Sequence, residues 1–434
     1  MIGSPALNAL LTMRNGLFCS VLLATITVSS DSHEESLSPL NASTGADADA
    51  DQVLEPSKLL ARIEAGEAEE VLTLAAEVID EIEENATKYD AALVKPLIVV
   101  GDAHRKLGRY VEAIEAYERA RQVARINNGL TSIEQVEAVH REAETYYEIG
   151  HIGDANDSYE YIFSIYNKQF EPFSVELLPS IFMLADWYVL IYNVFAARGL
   201  YEYATEIVKH HLERTSPENI RALQGLANTY RLERFRPLSS LGPVQSRIPV
   251  LYWADDTPFT YFAKVNDFKS GEDTLIELVK IEIERPDSTA ESIARAKLAL
   301  ADWFTLFEKN SQAAVIYRDV LETFEDSTDS DFLMREFFDP VPLFLPLSTS
   351  PEPQRLSLST QPITGEVGFT VAVDETGRVN EVQLDFARPQ SDHVKDFEKS
   401  LMNAIYRPRF LNNEPRPRNN VVVRHSYVFY PKGE

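Results

Sequence analysis

The sequence contains almost no cysteine and has a large deficit of positive charge. The only cysteine among its 434 residues is Cys19. Lys and Arg number 41 against 68 Asp and Glu. The resulting formal charge of −27 argues against nucleic acid as a partner, because phosphate binding needs local positive charge. Hydrophobic residues make up 44%, which is enough to bury the cores of two or three domains.

Sequence signatures of catalysis are also missing. The chain has no Gly-rich phosphate loop, nucleophile elbow or zinc signature. Its eight histidines form no spaced ligand set, and the adjacent His210 and His211 cannot both face one site on a helix. We therefore predict that the protein is not an enzyme and that it binds no cofactor or metal.

The first apolar run is too short to cross a membrane comfortably. It extends from Gly16 to Val28, whereas a membrane-spanning helix needs about 20 apolar residues. Residues 1–30 are therefore predicted to be a secretory signal cleaved after Ser30, which would also remove Cys19. An uncleaved anchor remains the alternative. Residues 31–54 are then a disordered polar linker.

Small and bulky residues recur every 42 positions over residues 55–330. One column of small residues comprises Gly101, Ala143, Ala185 and Ala227; a second comprises Ala113, Ala155 and Ala197; and a tyrosine column comprises Tyr117, Tyr159 and Tyr201. Two antiparallel helices approach closely only where their side chains are small. The period therefore predicts helical hairpins that pack on their neighbours. The sequence TSIE at 131–134 fits a capping box that starts the next helix.

The stretch GDAHRKLGRYVEAIEAYERA, residues 101–120, resembles the tetratricopeptide repeat. The resemblance implies a helical-hairpin (TPR-like) solenoid. The motif LADW opens two such hairpins, with Trp187 and Trp303 as core residues and with Asp186 and Asp302 as candidate groove residues. Ala185 and Ala301 are 116 residues apart, so the register slips between them. Prolines within residues 234–262 are predicted to deny the fourth hairpin a normal second helix.

A second part of different character follows the repeats. From Pro351 to Glu434 the chain has eleven basic and eleven acidic residues, so nearly all of the negative charge precedes this part. Residues 331–360 form a Pro-rich connector. In residues 361–434, alternating apolar residues predict two strands joined at Asp374–Gly377, a helix from Asp392 to about Tyr406, and a closing strand. The fold class is therefore α followed by α+β, with a β-β-α-β order in the tail.

The tail resembles the C-terminal domain of TonB-family energy transducers. The matching residues are Gly365, Val367, Phe369, Val371, Asp374, Gly377, Val379, Tyr406, Arg407, Pro408 and Phe410. This resemblance implies a periplasmic domain of a Gram-negative envelope that pairs edge-on with a segment of an outer-membrane receptor. The long Pro-rich spacer of true transducers is absent, and a helical array stands in its place.

Basic residues cluster in the tail with Glu414 as the only acid among them. The cluster comprises Arg407, Arg409, Arg416, Arg418 and Arg424. A solvated rim is one interpretation. The other is a docking face, either for an acidic partner or for the chain's own acidic array. Val422, in the closing strand, is the candidate edge residue for strand addition.

These observations lead to two hypotheses about function. The first is a periplasmic scaffold that binds protein or peptide partners through the repeat groove and the tail edge. The second is an energy transducer anchored in the inner membrane, in which residues 16–28 remain in the mature chain. Membrane contact is expected only in the second case.

Overall fold

The structure is a computed structural model that describes residues 56–235, 268–325, 338, 340–346, 363–389, 393–411 and 413–429. The predicted signal or anchor at 1–30, the linker at 31–54, residues 236–262 of the interruption and most of the Pro-rich connector lie outside the described residues. The described residues form two compact units that divide between Trp187 and Tyr188.

Helices account for all the regular structure that is described before residue 340. They are Pro56–Glu64 (α1), Ala68–Asn85 (α2), Val94–Lys106 (α3), Tyr110–Asn128 (α4), Val136–Glu148 (α5), Ile152–Gln169 (α6), Leu178–Leu190 (α7), Val194–His211 (α8), Pro217–Arg234 (α9), Phe268–Glu284 (α10), Ala290–Leu306 (α11) and Asn310–Glu325 (α12). Each hairpin has a first and a second helix. The first helices of three successive hairpins, α3, α5 and α7, begin 42 residues apart, and so do their second helices, α4, α6 and α8. The predicted helical-hairpin repeat is therefore confirmed.

In the first three hairpins, the turn ends the first helix with a residue in the left-handed region. Gly66, Gly108 and Gly150, at the 42-residue spacing, have φ values of 95°, 74° and 77°. At Gly108 the turn is closed by two backbone bonds, from Gly108 N to Arg105 O at 3.0 Å and from Arg109 N to His104 O at 2.9 Å. This is the Schellman arrangement, and glycine suits it because it lacks a Cβ.

The small-residue columns lie in the core, as predicted. Ala113, Ala155 and Ala197 are fully buried. A Cβ built on Gly101 would lie 2.3 Å from the Tyr117 ring, so this first helix can meet its partner only with glycine there. Trp187, 2% exposed, stacks on Tyr159 with ring centroids 4.7 Å apart. The small residues thus lie where two helices approach closely, and the large aromatic side chains fill the core beside them, as the columns predict.

The predicted capping box at 131–134 is wrong in detail. Ser132, rather than Thr131, is the N-cap, and its hydroxyl accepts from the backbone N of Glu134 at 3.2 Å. The helical turn that it caps, Ile133–Gln135, is a short 3-10 segment ahead of α5. Asp90 caps an equivalent turn 42 residues earlier, with 2.9 Å from Ala92 N to its carboxylate.

The register slip between the two LADW motifs has a simple origin. The spacing of 116 residues equals two periods of 42 plus 32, and 32 residues, 236–267, separate Phe235 from Phe268. The prediction that the fourth hairpin lacks a normal second helix is therefore wrong. Its second helix is α10, which packs on α9 after the extra segment. Gly271 in α10 stands where the alanine column has Ala113 in α4, and Trp303 lies against it.

The tail contains a three-stranded antiparallel sheet. Its strands are Ile363–Val373 (β2), Val379–Arg388 (β3) and Arg418–Phe429 (β7), in the order β3-β2-β7; shorter strands are Pro342–Phe344 (β1), Ile405–Tyr406 (β4), Arg409–Leu411 (β5) and Glu414–Arg416 (β6). Val367, Phe369, Val371 and Val373 share the buried face as predicted. The additional short strands mean that the simple β-β-α-β order is not confirmed.

The helix of the tail is shorter than predicted. It covers His393–Leu401 (α13) and ends before Ile405, which begins β4. Tyr406 N donates to Gly377 O at 2.8 Å, and Arg407 N donates to Val341 O at 2.9 Å. These long-range backbone bonds compete with the helix and hold the chain extended there.

Candidate interaction surfaces

Asp302 lies on α11, one position after the small-residue column, and it is 6% exposed. Its carboxylate accepts hydrogen bonds from two side chains that are distant in sequence. Tyr317 OH on α12 donates to Oδ1 at 2.9 Å. Arg407 of the tail donates from Nε to Oδ1 at 2.8 Å and from Nη2 to Oδ2 at 2.7 Å. The guanidinium therefore binds the carboxylate in the bidentate fork that arginine favours.

Both charged groups of this pair are withdrawn from water. The side chain of Arg407 is 4% exposed and that of Asp302 is 8% exposed. Burial alone would lower the pKa of Arg407, but the Asp302 charge and hydrogen bonds raise it. Burial and the nearby Asp302 carboxylate likewise raise the pKa of Tyr317 well above its ordinary value. Loss of either partner would leave an uncompensated buried charge, which costs about 3–5 kcal/mol.

Aromatic and aliphatic side chains surround the ion pair. Phe410 from β5 lies 5.5 Å from the Tyr317 ring, and Phe338 lies 6.2 Å from it, centroid to centroid. Beside them, Leu306 at the end of α11 packs with Val341 and Leu343 of the connector and with Ile405 of the tail. The tail thus presents one arginine within an apolar layer to the hairpin α11–α12.

Polar contacts extend this junction at its rim. Arg318 Nε donates to Asn413 O at 3.0 Å, and Arg378 pairs with Glu308 at 2.9 Å. In the second pair the Arg378 side chain is 36% exposed and the Glu308 side chain 76% exposed, so this ion pair contributes little to stability. The apolar layer and the buried ion pair carry most of the contact.

The first unit contains a closely similar arrangement between consecutive hairpins. Asp102 on α3 accepts from Tyr117 OH at 2.7 Å, and Arg141 on the next first helix, α5, approaches Asp102 to 3.6 Å. Arg105 on α3 binds Glu144 and Glu148 on α5 at 2.7 and 2.6 Å. Burial raises the pKa of Asp102, and Arg141 opposes that shift. A buried acid, a tyrosine fifteen residues later and an arginine from a later element of the chain therefore occur in both units.

The other predicted site residues lie at exposed or partly exposed positions of the tail and of α7. Arg409 and Arg416 are exposed and face each other across β5 and β6, and Arg416 also pairs with Glu414 at 2.5 Å. Arg418 is half-buried and Arg424 is exposed, both on β7. Asp186 is exposed on α7. Of the predicted residues, Asp302 and Arg407 are brought together, and Arg407 is not part of an exposed basic face.

Strand β7 occupies one edge of the three-stranded sheet as described. It pairs with β2 along its length, with Val422 opposite Thr370 and Arg424 opposite Gly368. Val422 is 59% exposed, whereas its neighbours Val421 and Val423 are buried. The strand therefore alternates between a core face and an open face, and its outer backbone groups face away from β2.

The sequence suggested docking of the basic cluster on the chain's own acidic array as one alternative, but nothing in it identified the hairpin α11–α12 as the docking site. The spacing of fifteen residues that Asp102–Tyr117 and Asp302–Tyr317 share was a usable signal for the acid and the tyrosine. Phe338 and Val341 carried no such signal, because they lie in or beside the Pro-rich connector.

In the ranges that the structure describes, no group of three or more His, Cys, Asp or Glu residues could hold a metal ion. No helix in those same ranges is both long and apolar enough to span a membrane.

No protein-family model matches the chain, and no curated protein matches it. Several solved structures are similar at low identity. A putative kinesin light chain with TPR-like repeats from Podosopora anserina has 15% identity and a TM-score of 0.41, covering 56% of this chain and all of that one. BtubC (BKLC) from P. vanneervenii has 14% identity and a TM-score of 0.42, covering 59% and 90%. The apo form of RapI has 14% identity and a TM-score of 0.41, covering 60% and 63%. The repeat assignment rests on the chain's own 42-residue period.

Proposed function

We propose that the chain is a non-enzymatic scaffold of the Gram-negative periplasm that binds protein partners. In this proposal the tail receives an extended segment of an envelope protein, such as an outer-membrane receptor, as an added strand beside β7. The helical hairpins provide a second binding surface. The resemblance of the tail to the TonB C-terminal domain motivates the class of partner, and strand addition is an established way to recognise extended peptides.

The observation that carries this proposal is the position of β7 at the edge of the sheet. An edge strand offers unpaired backbone donors and acceptors along its outer side. β7 covers twelve residues, Arg418–Phe429, and contains basic side chains at Arg418 and Arg424 but no acidic residue. The opposite edge, β3, contains the acids Glu381 and Asp385 and one basic residue, Arg388. The two edges therefore differ in charge, and an acidic extended segment fits the β7 edge better.

Hydrogen–deuterium exchange of the full-length chain tests this mode directly. The probes are synthetic extended peptides from periplasm-facing segments of outer-membrane receptors. We expect the amides of 418–429 to gain protection when peptide binds, while those of 379–388 do not. Protection confined to the exposed turn around Arg409 and Arg416, with none along β7, would show electrostatic docking in place of strand addition.

A matched pair of proline variants adds a second criterion. Val422 lies opposite Thr370 on one edge of the sheet, and Leu384 lies opposite the adjacent residue, Phe369, on the other edge. Adjacent residues of a central antiparallel strand bond to opposite neighbours, so the backbone N–H groups of Val422 and Leu384 have the same orientation relative to β2. Proline is tolerated mainly on edge strands, where it removes a backbone donor. Val422→Pro is expected to abolish peptide binding and Leu384→Pro to preserve it. Equal loss in both variants would contradict recognition at β7.

The N-terminus decides between a free scaffold and an anchored energy transducer. We propose that the mature chain begins near Asp31, because the apolar run from Gly16 to Val28 is short and a polar segment follows it. Intact-mass measurement of protein from fractionated cells provides the test. Retention of residues 16–28 in a membrane fraction would favour the transducer.

A further inference from the structure

The hairpin α11–α12 has no following hairpin among the described residues, and the tail covers it instead. In the first unit, the face of a hairpin that meets its successor contains a buried acid and a tyrosine, and the successor supplies an arginine. At the last hairpin the same two groups are Asp302 and Tyr317, and the arginine is Arg407. Arg407 thus pairs with Asp302 as Arg141 approaches Asp102, with two hydrogen bonds in place of a single ion contact at 3.6 Å.

Apolar side chains of the last hairpin are also covered, as they would be by a following hairpin. Leu306, Tyr317 and Phe324 of the last hairpin are 4% exposed or less. Phe338 of the connector and Phe410 of the tail belong to the helical core cluster that includes Tyr317 and Phe324. The ends of a repeat array expose apolar faces unless a cap with a polar outer side covers them. The tail has such a side, since Arg409 and Arg416 are exposed.

We propose that the tail is the C-terminal cap of the hairpin array, held by Arg407 in place of a further repeat, and that its release lets a second copy of the chain dock on the uncovered hairpin. The occupant is a second copy because the uncovered face is of the kind that hairpins of this chain already recognise in one another. Asp302 would also attract an arginine, as Asp102 attracts Arg141.

The test uses the full chain with Arg407→Gln and, as a matched control, Arg409→Gln. Arg409 is two residues away in the same segment but is exposed. Loss of the buried pair is expected to speed amide exchange in residues 405–411 by roughly 100-fold, whereas the control should exchange as the native chain does. Helices α3 to α6 provide the internal reference, since their exchange should not change.

Sedimentation velocity over a wide range of protein concentration gives the second measurement. The Arg407→Gln chain is expected to associate with increasing concentration, and the native and Arg409→Gln chains are not. Native-like exchange of 405–411 in Arg407→Gln would overturn the role of Arg407. Release of the tail without any association would overturn the docking of a second copy.

A gentler variant covers the case in which Arg407→Gln does not fold. Arg407→Lys retains the charge but loses the bidentate fork, because an ammonium is a point charge. We expect exchange in 405–411 to be faster than in the native chain, with exchange in helices α3 to α6 unchanged. Native-like exchange in this variant would show that the fork does not hold the cap.

Discussion

His425 illustrates how one buried side chain can link the stability of the tail to pH. It lies on the core face of β7, 6% exposed, with its ring 4.7 Å from Phe397 of α13. Burial lowers the pKa of His425 to about 4, from an ordinary value near 6.5. Below pH 6.5 the unfolded chain takes up a proton there before the folded chain does. Stability therefore decreases as pH falls through this range.

We predict that His425→Leu flattens this dependence. The native chain should lose on the order of 3 kcal/mol through this group between pH 6.5 and 4, since each unit of pKa shift corresponds to about 1.4 kcal/mol. Urea unfolding at several pH values measures the effect. His211→Gln, at an exposed position of α8, is the control. An unchanged slope in His425→Leu would show that this histidine does not titrate on unfolding.

For single residues, the sequence predicted which side chains are buried better than it predicted which side chains they contact. Val367 and Phe369 were predictable as core residues, because strand alternation places them on one face. The pairing of Asp302 with Arg407 was not, since 105 residues separate the two and no local pattern relates them. The basic cluster suggested a docking face on the chain's own acidic array, but nothing in the sequence selected Arg407 from the five arginines.

At the scale of elements, the helix-contact columns determine how closely two helices approach. Ala155 is fully buried in α6. Leucine at this position should force the helices of its hairpin apart, at a cost of about 1–3 kcal/mol. Glu115→Ala on the exposed side of α4 should cost little. Thermal melts of the two variants measure the difference, and an unaltered melt for Ala155→Leu would mean that the column is not a contact.

Two glycines of one hairpin separate steric cost from backbone strain. In Gly101→Ala, the new methyl group meets the Tyr117 ring, which cannot move without disturbing its bond to Asp102. In Gly108→Ala, the methyl group has open space, and only the φ of 74° is unfavourable. We expect about 1 kcal/mol for Gly108→Ala and a larger loss, of roughly 2–3 kcal/mol, for Gly101→Ala.

Denaturant unfolding of both variants under the same conditions gives the comparison. Equal destabilisation, or a smaller loss at Gly101, would contradict the close approach of α3 to Tyr117.

The predicted boundaries of helices and strands were least accurate where long-range hydrogen bonds determine the backbone conformation. Helix α13 illustrates this. The apolar pattern predicts a helix to about Tyr406, but the backbone N of Tyr406 donates to Gly377 O and the helix ends at Leu401.

For the molecule as a whole, the extra residues 236–267 explain the break in the 42-residue period. Without them, Ala301 would follow Ala185 by two full periods. Arg234, now the last residue of α9, would then occupy the turn position that Gly108 and Gly150 have. The single-sequence pattern could not separate an insertion from an end of the array, because the prolines in it are also the residues that end helices.

We predict that a chain lacking 236–267 and containing Arg234→Gly still folds. The glycine supplies the left-handed residue that the shortened turn requires. Circular dichroism should show a larger helical signal per residue, and the melting temperature should stay within about 5 °C of the native value. Loss of cooperative melting would show that the segment is required for α9 and α10 to pair. The chain with Arg234→Gly alone is the control.

The equivalence of the hairpin turns makes them natural sites for engineering. One turn already accommodates 32 additional residues while the helices on either side retain their columns. The short turns at Gly108 and Gly150 have the same backbone geometry and open space around the glycine in the first case. A reporter domain with adjacent termini could therefore be spliced into the Gly108 turn, to follow the protein in living cells while both ends of the chain remain native.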